Sequence, residues 1–306
     1  MLTSQLAEPS GGIPDKIAAA FDGARTTIDL AIYQFDLPVI TAALLRAQLR
    51  GVRVRVVTDS DSLAMDGIAA LVKAGVPVAP DKRGAIMHDK FAVIDGAAVW
   101  TGSMNYTFND AYRNDNNVLA IQSPELARIY TQEFEKLFVH KAFGPHDPAD
   151  RPPVITVSGT EIEALFSPAG ATAEHVNDTL AGARDSIFFL AFDFTRPDFG
   201  QTLLDQGAAG RDVRGVFESG QLAAGGSAVW QMLARGGMAA NIRQDGNLHN
   251  MHDKVFIIDK AVVITGSYNF SASAEDANDE NALIIHNAAM AESYFAAWER
   301  IWAQAR

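Results

Sequence analysis

The sequence predicts an α/β chain of mixed sheets flanked by helices, and three observations carry that expectation. The chain has 306 residues, which at roughly 150 residues per domain suggests about two domains. Short apolar strand patterns alternate with helical patterns of about 10–15 residues, the order that yields sheets covered by helices. The order also repeats. Met87-His-Asp-Lys-Phe-Ala-Val-Ile-Asp95 recurs as Met251-His-Asp-Lys-Val-Phe-Ile-Ile-Asp259, and Thr101-Gly-Ser-Met-Asn105 recurs as Thr265-Gly-Ser-Tyr-Asn269. Both offsets are 164 residues (252 − 88 and 269 − 105). Self-similarity at a fixed offset marks a duplication.

The elements follow in order. A short helix is expected over residues 14–22, with Pro14 early in its first turn. A strand follows over 27–34, then a helix over 37–49 that stops before Gly51. Next come a strand over 52–57 and a helix over 62–74 ended by Gly75. Residues 90–94 and 97–100 form a hairpin about Asp95-Gly96, a strong turn dipeptide. A strand over 117–121 leads to Ser123, which caps a helix opening at Pro124 and running to about residue 138. The second half repeats this order, with residues 187–194 matching 28–35, and closes on a helix over about 288–303. Residues 145–160 hold Pro145, Pro148, Pro152 and Pro153 without helical or strand periodicity, the composition of a semi-rigid linker. The expected organisation is a first repeat over 1–144, this linker, and a second repeat over 161–306.

Composition narrows the function. Apolar residues make up 48% and charged residues 20%, which excludes a disordered or collagen-like chain. The absence of cysteine removes disulfides, thiolate metal sites and a thiol nucleophile. The net charge is −12; up to Gly144, 14 Lys/Arg oppose 16 Asp/Glu, and beyond it 11 oppose 21. A broadly basic nucleic-acid footprint is absent, so a polyanion would need a local patch. No apolar run of about 18 residues predicts a membrane span. Neither a basic start nor an apolar run marks a signal peptide in the opening residues. The compartment is left open, and no stable membrane insertion is expected.

The repeated segments hold the chemistry. His88 and Lys90 lie two apart on an apolar strand and so share a face. Ser103 and Asn105 can share a face beyond the partner strand, and His252, Lys254, Ser267 and Asn269 repeat the set. An imidazole, an ammonium, a hydroxyl and a carboxamide around one small volume suit the oxyanions of a phosphodiester. Asp95 lies seven residues after His88, on the opposite strand face and at a turn. Asp95 and Asp259 are therefore expected to be structural, holding the hairpins through bonds to backbone. Tyr33, Phe35, Phe192 and Phe194 follow the first strand of each half and could stack on a base or lipid. Lys82, Arg83 and Arg113 lie near the first motif and could grip a polyanion backbone. His249 with His252 gives a His-x-x-His spacing but no third ligand, so no metal site is expected.

With these motifs the chain resembles the phospholipase D superfamily, as a member with two His-Lys-Asp motifs. Asn278-Asp-Glu-Asn-Ala-Leu-Ile-Ile285 and Ala291-Glu-Ser-Tyr-Phe-Ala-Ala-Trp-Glu-Arg-Ile-Trp302 resemble the downstream strand and last helix of its small bacterial endonuclease branch, whose subunits pair to build one site. The resemblance spans about residues 13–303 and implies two such repeats fused as a pseudo-two-fold dimer in one chain. A single copy would then suffice for a complete site. It implies a phosphohistidine on one His, with the other as general acid and then base, and no metal or cofactor. By likeness to two-motif relatives the nucleophile is His88 and the acid is His252. The expected activity is a nuclease on single-stranded or short nucleic acid; the alternative is a phospholipase D or a cardiolipin synthase-like transferase acting on phospholipid.

One departure shapes the expected roles. Glu280 lies 28 residues after His252, whereas Asn116 lies 28 after His88. Glu280 is therefore expected to orient His252, and His88 to use Asn116, the adjacent Asp115, or nothing. Lys260 also replaces Gly96, which weakens the second turn signal.

Overall fold

The computed structural model describes residues 11–145, 154–168, 171–225 and 227–306. By contact the chain divides into two compact units: Met1–His146 with Asn278–Glu280, and Asp147–Ala277 with Asn281–Arg306.

The first unit is a six-stranded mixed sheet. Its strands are β1 (Thr27–Ile32), β2 (Arg53–Thr58), β3 (Val78–Pro80), β4 (Lys90–Ile94), β5 (Ala98–Gly102) and β6 (Val118–Gln122). Their order is β3-β2-β1-β4-β5-β6. The β3-β2-β1 half is parallel; β4, β5 and β6 run antiparallel. Every residue of β4 is buried, as expected where helices cover both faces of a sheet. Ile17, Phe21, Ile40 and Leu44, from helices Ile13–Gly23 and Pro38–Leu49, cluster with Ile28, Leu30, Val54 and Val56 of β1 and β2. The opposite face carries Phe91, whose ring lies 5.0 Å from Tyr130 of helix Pro124–Glu135.

The second unit repeats the pattern and extends it. Its strands are β7 (Ile155–Val157), β8 (Thr160–Ser167), β9 (Ser186–Ala191), β10 (Asp212–Phe217), β11 (Ile242–Gln244), β12 (Lys254–Ile258), β13 (Val262–Gly266) and β14 (Glu280–His286). Their order is β11-β10-β9-β12-β13-β14-β8-β7. The mixed α/β class is as expected, with element ends shifted by a few residues. The helix read over 62–74 begins only at Asp66, after a 3₁₀ turn at Ser60–Ser62. The helix read over 124–138 ends at Glu135 and passes into a π-helical turn, Lys136–His140. The edge strand β3 was not expected, and β7 falls inside the stretch read as linker. Residues 146–153, which hold three of the four linker prolines, lie outside the described residues. Among the described residues, no helix is long and apolar enough to cross a membrane.

Both hairpin turns use left-handed backbone at their two central residues: φ is 53° and 60° at Asp95 and Gly96, and 52° and 48° at Asp259 and Lys260. This is the backbone that matches strand twist in a two-residue hairpin. The lysine of the second turn therefore occupies a position that favours glycine, with its ammonium 3.5 Å from the Phe295 ring centroid.

Candidate active site

The strand β4 starts at Lys90, so His88 stands two residues before it, at the end of the sheet where β1 also ends. His88 is buried, and its backbone N–H donates to the Asp279 carbonyl at 2.9 Å. Asp279 N–H returns a bond to Ile86 O at 3.1 Å, a parallel bridge that fixes the register of Asn278–Glu280 in the first unit. That register places Glu280, fully buried, with Oε2 2.7 Å from His88 Nδ1.

This corrects the expected pairing. Glu280 bonds and orients His88, the histidine of the other motif, where the equal spacing had assigned it to His252. Asn116 instead accepts from Ser103 Oγ at 2.9 Å and donates Nδ2 to Asp110 O at 3.1 Å. Asp115 is buried one residue before it. A carboxylate accepting from Nδ1–H favours the tautomer with Nε2 unprotonated, the form a nucleophilic imidazole needs.

The remaining groups fall into three sets. Lys90 and Lys254 are buried, and each ammonium donates to the carbonyl of its own motif histidine, His88 O and, at 2.7 Å, His252 O. Burial pulls the Lys90 ammonium down to about 8, against the attraction of Glu280, Asp110 and Asp89. The second set is aromatic. Tyr33 lies 5.1 Å from the His88 ring and 5.3 Å from Lys90 Nζ; Phe192 lies 4.6 Å from the His252 ring and 4.5 Å from Lys254 Nζ. The third is carboxamide: Asn105 Oδ1 and Asn269 Oδ1 are both buried without a hydrogen-bond partner. Orphaned polar atoms of this kind are uncommon and mark unused bonding capacity.

Other expected roles change. Ser103 and Ser267 are fully buried, and each Oγ accepts a backbone N–H from the following strand segment, Asn117 at 3.1 Å and Asn281 at 3.0 Å. They tie strand ends together and do not present a donor to a substrate. The glycine before each has φ of 151° or 157°, and a Cβ there would lie 2.2 Å from the Asn117 or Asn281 carbonyl oxygen. The Thr-Gly-Ser run thus records a close approach of two backbones. Phe35 is a core residue, edge-on to Tyr106 at 5.7 Å, and Phe194 stacks on Phe217 at 5.5 Å. Arg113 is exposed, with its guanidinium carbon 4.9 Å from the Phe108 ring centroid and a bond to Asn109 Oδ1. Arg83 bonds Asp279, so it braces the segment that carries Glu280. Burial raises the Asp279 carboxyl to about 7, against the Gly144 N–H and Arg83. Sequence reading missed this brace; the Asn114–Asn117 and Asn278–Asn281 correspondence at the same 164-residue offset is the signal that contains it.

Asp95 and Asp259 do bind backbone, but not that of their own hairpins. Asp95 accepts the N–H groups of Arg25, Thr26 and Thr27 at 2.7–3.1 Å, and Asp259 those of Arg184, Asp185 and Ser186 at 2.8–2.9 Å. Each carboxylate thus anchors the loop that opens β1 or β9. Burial opposes ionisation, yet these amides hold both carboxyls below their ordinary value.

The chain is similar to known proteins. The family described as the PLD-like domain of cardiolipin synthase matches residues 17–138 and again 176–302. A mitochondrial cardiolipin hydrolase of Xenopus tropicalis is 41% identical over 117 residues, 38% of this chain and 56% of that protein. A phospholipase D of Rickettsia felis is 37% identical over 128 residues, 41% of this chain and 64% of that protein. The chain thus spans somewhat over half the length of these relatives. The crystal structure of phosphatidylserine synthase from Haemophilus influenzae is similar in fold, with a TM-score of 0.70 over 95% of this chain and 83% of that one at 13% identity. Two matches that together cover most of its length make this chain a member of the PLD-like domain family, with the domain present twice.

Proposed function

We propose that the chain hydrolyses phosphodiester bonds in nucleic acid, through a covalent intermediate on His88. The observation that carries this reading is the 2.7 Å contact of Glu280 with His88 Nδ1, which leaves Nε2 as the attacking atom. In the first step Nε2 attacks phosphorus and the bond to the leaving oxygen breaks, with His252 donating the proton that oxygen needs. In the second step His252 takes a proton from water, the new oxygen bonds phosphorus, and the phosphorus–nitrogen bond breaks. Covalent catalysis divides one difficult displacement into two easier ones. The Lys90 and Lys254 ammonium groups, with Asn105 and Asn269, neutralise the non-bridging oxygens, a task that metal ions perform elsewhere. Both motifs lie in one chain, so a single copy carries every group required.

A second reading is hydrolysis or transfer on phospholipid, which the named activities of the two relatives favour. Incubation in EDTA with single-stranded DNA, RNA, duplex DNA and phosphatidylcholine vesicles separates the two, with His88→Ala as control. Cleavage of nucleic acid that His88→Ala lacks supports the first reading; release of choline alone replaces it with the second. Rapid acid-free quenching should trap a nucleotidyl group, joined through phosphorus, on His88, and a trapped adduct on His252 would reverse the assigned roles.

A further inference from the structure

A cavity of about 280 Å³ opens at the ends of β9 and β10, lined in part by Phe192, Phe194, Phe217, Glu218, Gln221 and Ser227. Its size lies near the lower end of small-ligand pockets, roughly 300 Å³. Phe192 joins it to the candidate site, because the same ring touches His252 and Lys254. Among the described residues, none that lines it is Lys, Arg or His. The cavity therefore does not suit a phosphate; it suits a planar or apolar group that donates hydrogen bonds.

Glu218 has a shorter counterpart in the first unit. There Asp59 follows β2 as Glu218 follows β10, and both its oxygens are used by backbone: Oδ1 accepts from Asp61 N–H at 2.8 Å and Oδ2 from Met87 N–H at 3.1 Å. Glu218, one methylene longer, accepts from Gln221 N–H through Oε2 at 2.6 Å and also takes the Gly220 N–H, yet its carboxylate reaches the cavity wall. One face of Phe192 already meets the Lys254 ammonium, so a second cation against that ring is disfavoured, whereas a neutral planar base stacks there readily.

Resting on the nucleic-acid reading, we propose that this cavity is a base subsite for the nucleotide at the scissile phosphate, with Phe192 stacking on the base and Glu218 accepting its N–H groups. Guanine is the best match, because its adjacent ring N–H and amino group meet the second lone pairs that the two carboxylate oxygens keep beside their backbone bonds. Thymine offers a single N–H flanked by carbonyls that the carboxylate repels.

The test uses single-stranded oligonucleotides that differ only in the base beside one scissile bond. Burial raises the Glu218 carboxyl, so the assay runs near pH ~8, well above ordinary carboxylate values. Wild type should favour guanine over thymine in kcat/KM by about 10-fold or more, the size of one good bidentate contact. Glu218→Gln keeps an oxygen for the Gln221 cap, and it should collapse that ratio toward one; Phe192→Leu should lower it too. Guanosine monophosphate should also inhibit wild type more strongly than thymidine monophosphate, a reading that needs no variant to fold. Oligonucleotide cleavage with equal rates at all bases, or a preference that Glu218→Gln leaves intact, overturns the subsite while the nuclease reading stands. Hydrolysis of bis(4-nitrophenyl) phosphate and phospholipid with no oligonucleotide cleavage overturns the nuclease reading and the base subsite with it.

Discussion

Beneath its last helix the first unit buries an ion pair where the second buries aromatic rings. In the first, Arg55 of β2 bonds Asp29 of β1 at 2.8 and 2.9 Å and Glu135 at 2.7 Å, and its guanidinium lies 4.9–5.0 Å from the Phe134 and Phe138 rings. In the second, Phe188 occupies the position of Asp29 and packs on Phe295 and Trp298 at 4.8 and 4.7 Å. Arg214, the counterpart of Arg55, turns to Asp212 near the surface. The opposite sheet face shows a second exchange. Leu30 pairs with Val56 in the first unit, and Phe189 pairs with Gly215 in the second. A Cβ on Gly215 would lie 2.0 Å from the Phe189 ring, so the larger ring is matched by the smaller neighbour. The lesson is that the duplicated halves preserve volume and pairing at each layer, not residue type. The Met-His-Asp-Lys and Thr-Gly-Ser segments are where identity itself is kept.

Substitutions at four places would break or sharpen that contrast, taken from the largest expected effect. Asp29→Ala leaves the Arg55 guanidinium buried with only Glu135, which should cost about 3–5 kcal/mol. Denaturant unfolding checks this, and a loss below 1 kcal/mol would show that the ion pair is dispensable. Glu280→Gln should lower kcat by about 10²-fold or more, since the tautomer and orientation of His88 lose their support. Asn116→Ala, at the equivalent position of the other motif, should cost less; equal losses would erase the asymmetry between the motifs. Gly215→Val should destabilise by about 1–3 kcal/mol through overpacking, and adding Phe189→Leu should recover most of it in a double-mutant cycle. The mildest effect is at the second turn. Gly96→Lys should cost about 1 kcal/mol, since the left-handed region is unfavourable to a Cβ. Lys260→Gly should be near neutral in thermal unfolding, because the relief of strain is offset by the lost contact with Phe295.

The pH dependence follows from Lys90. Its ammonium is the charged form, and burial lowers it to about 8. Raising the pH through that value removes a cation from the site, so kcat/KM should fall on the alkaline limb. Lys90→Met should show a low rate without that limb; a wild-type rate still flat beyond pH ~10, the ordinary lysine range, would show that the charge of Lys90 does not assist.

Much of this protein was legible in the chain itself. The 164-residue offset, the Asp-Gly turn and the alternation of strands with helices depend on local chemistry and nearby spacing, which a sequence displays directly. The motif residues were legible too, because two copies at one spacing rule out chance. The short strands β3 and β7 were not, since three residues carry too little periodicity to register. Nor was the duty of Ser103 and Ser267, whose hydroxyls bond groups of residues 116–117 or 281 that lie next to them only after β5 and β6, or β13 and β14, have paired. Above all, counting 28 residues along the chain assigned Glu280 to His252. The fold gives it to His88, 192 residues away, because a carboxylate bonds whatever its backbone register brings within 3 Å, and that register was set by the bridge between Asp279 and Met87.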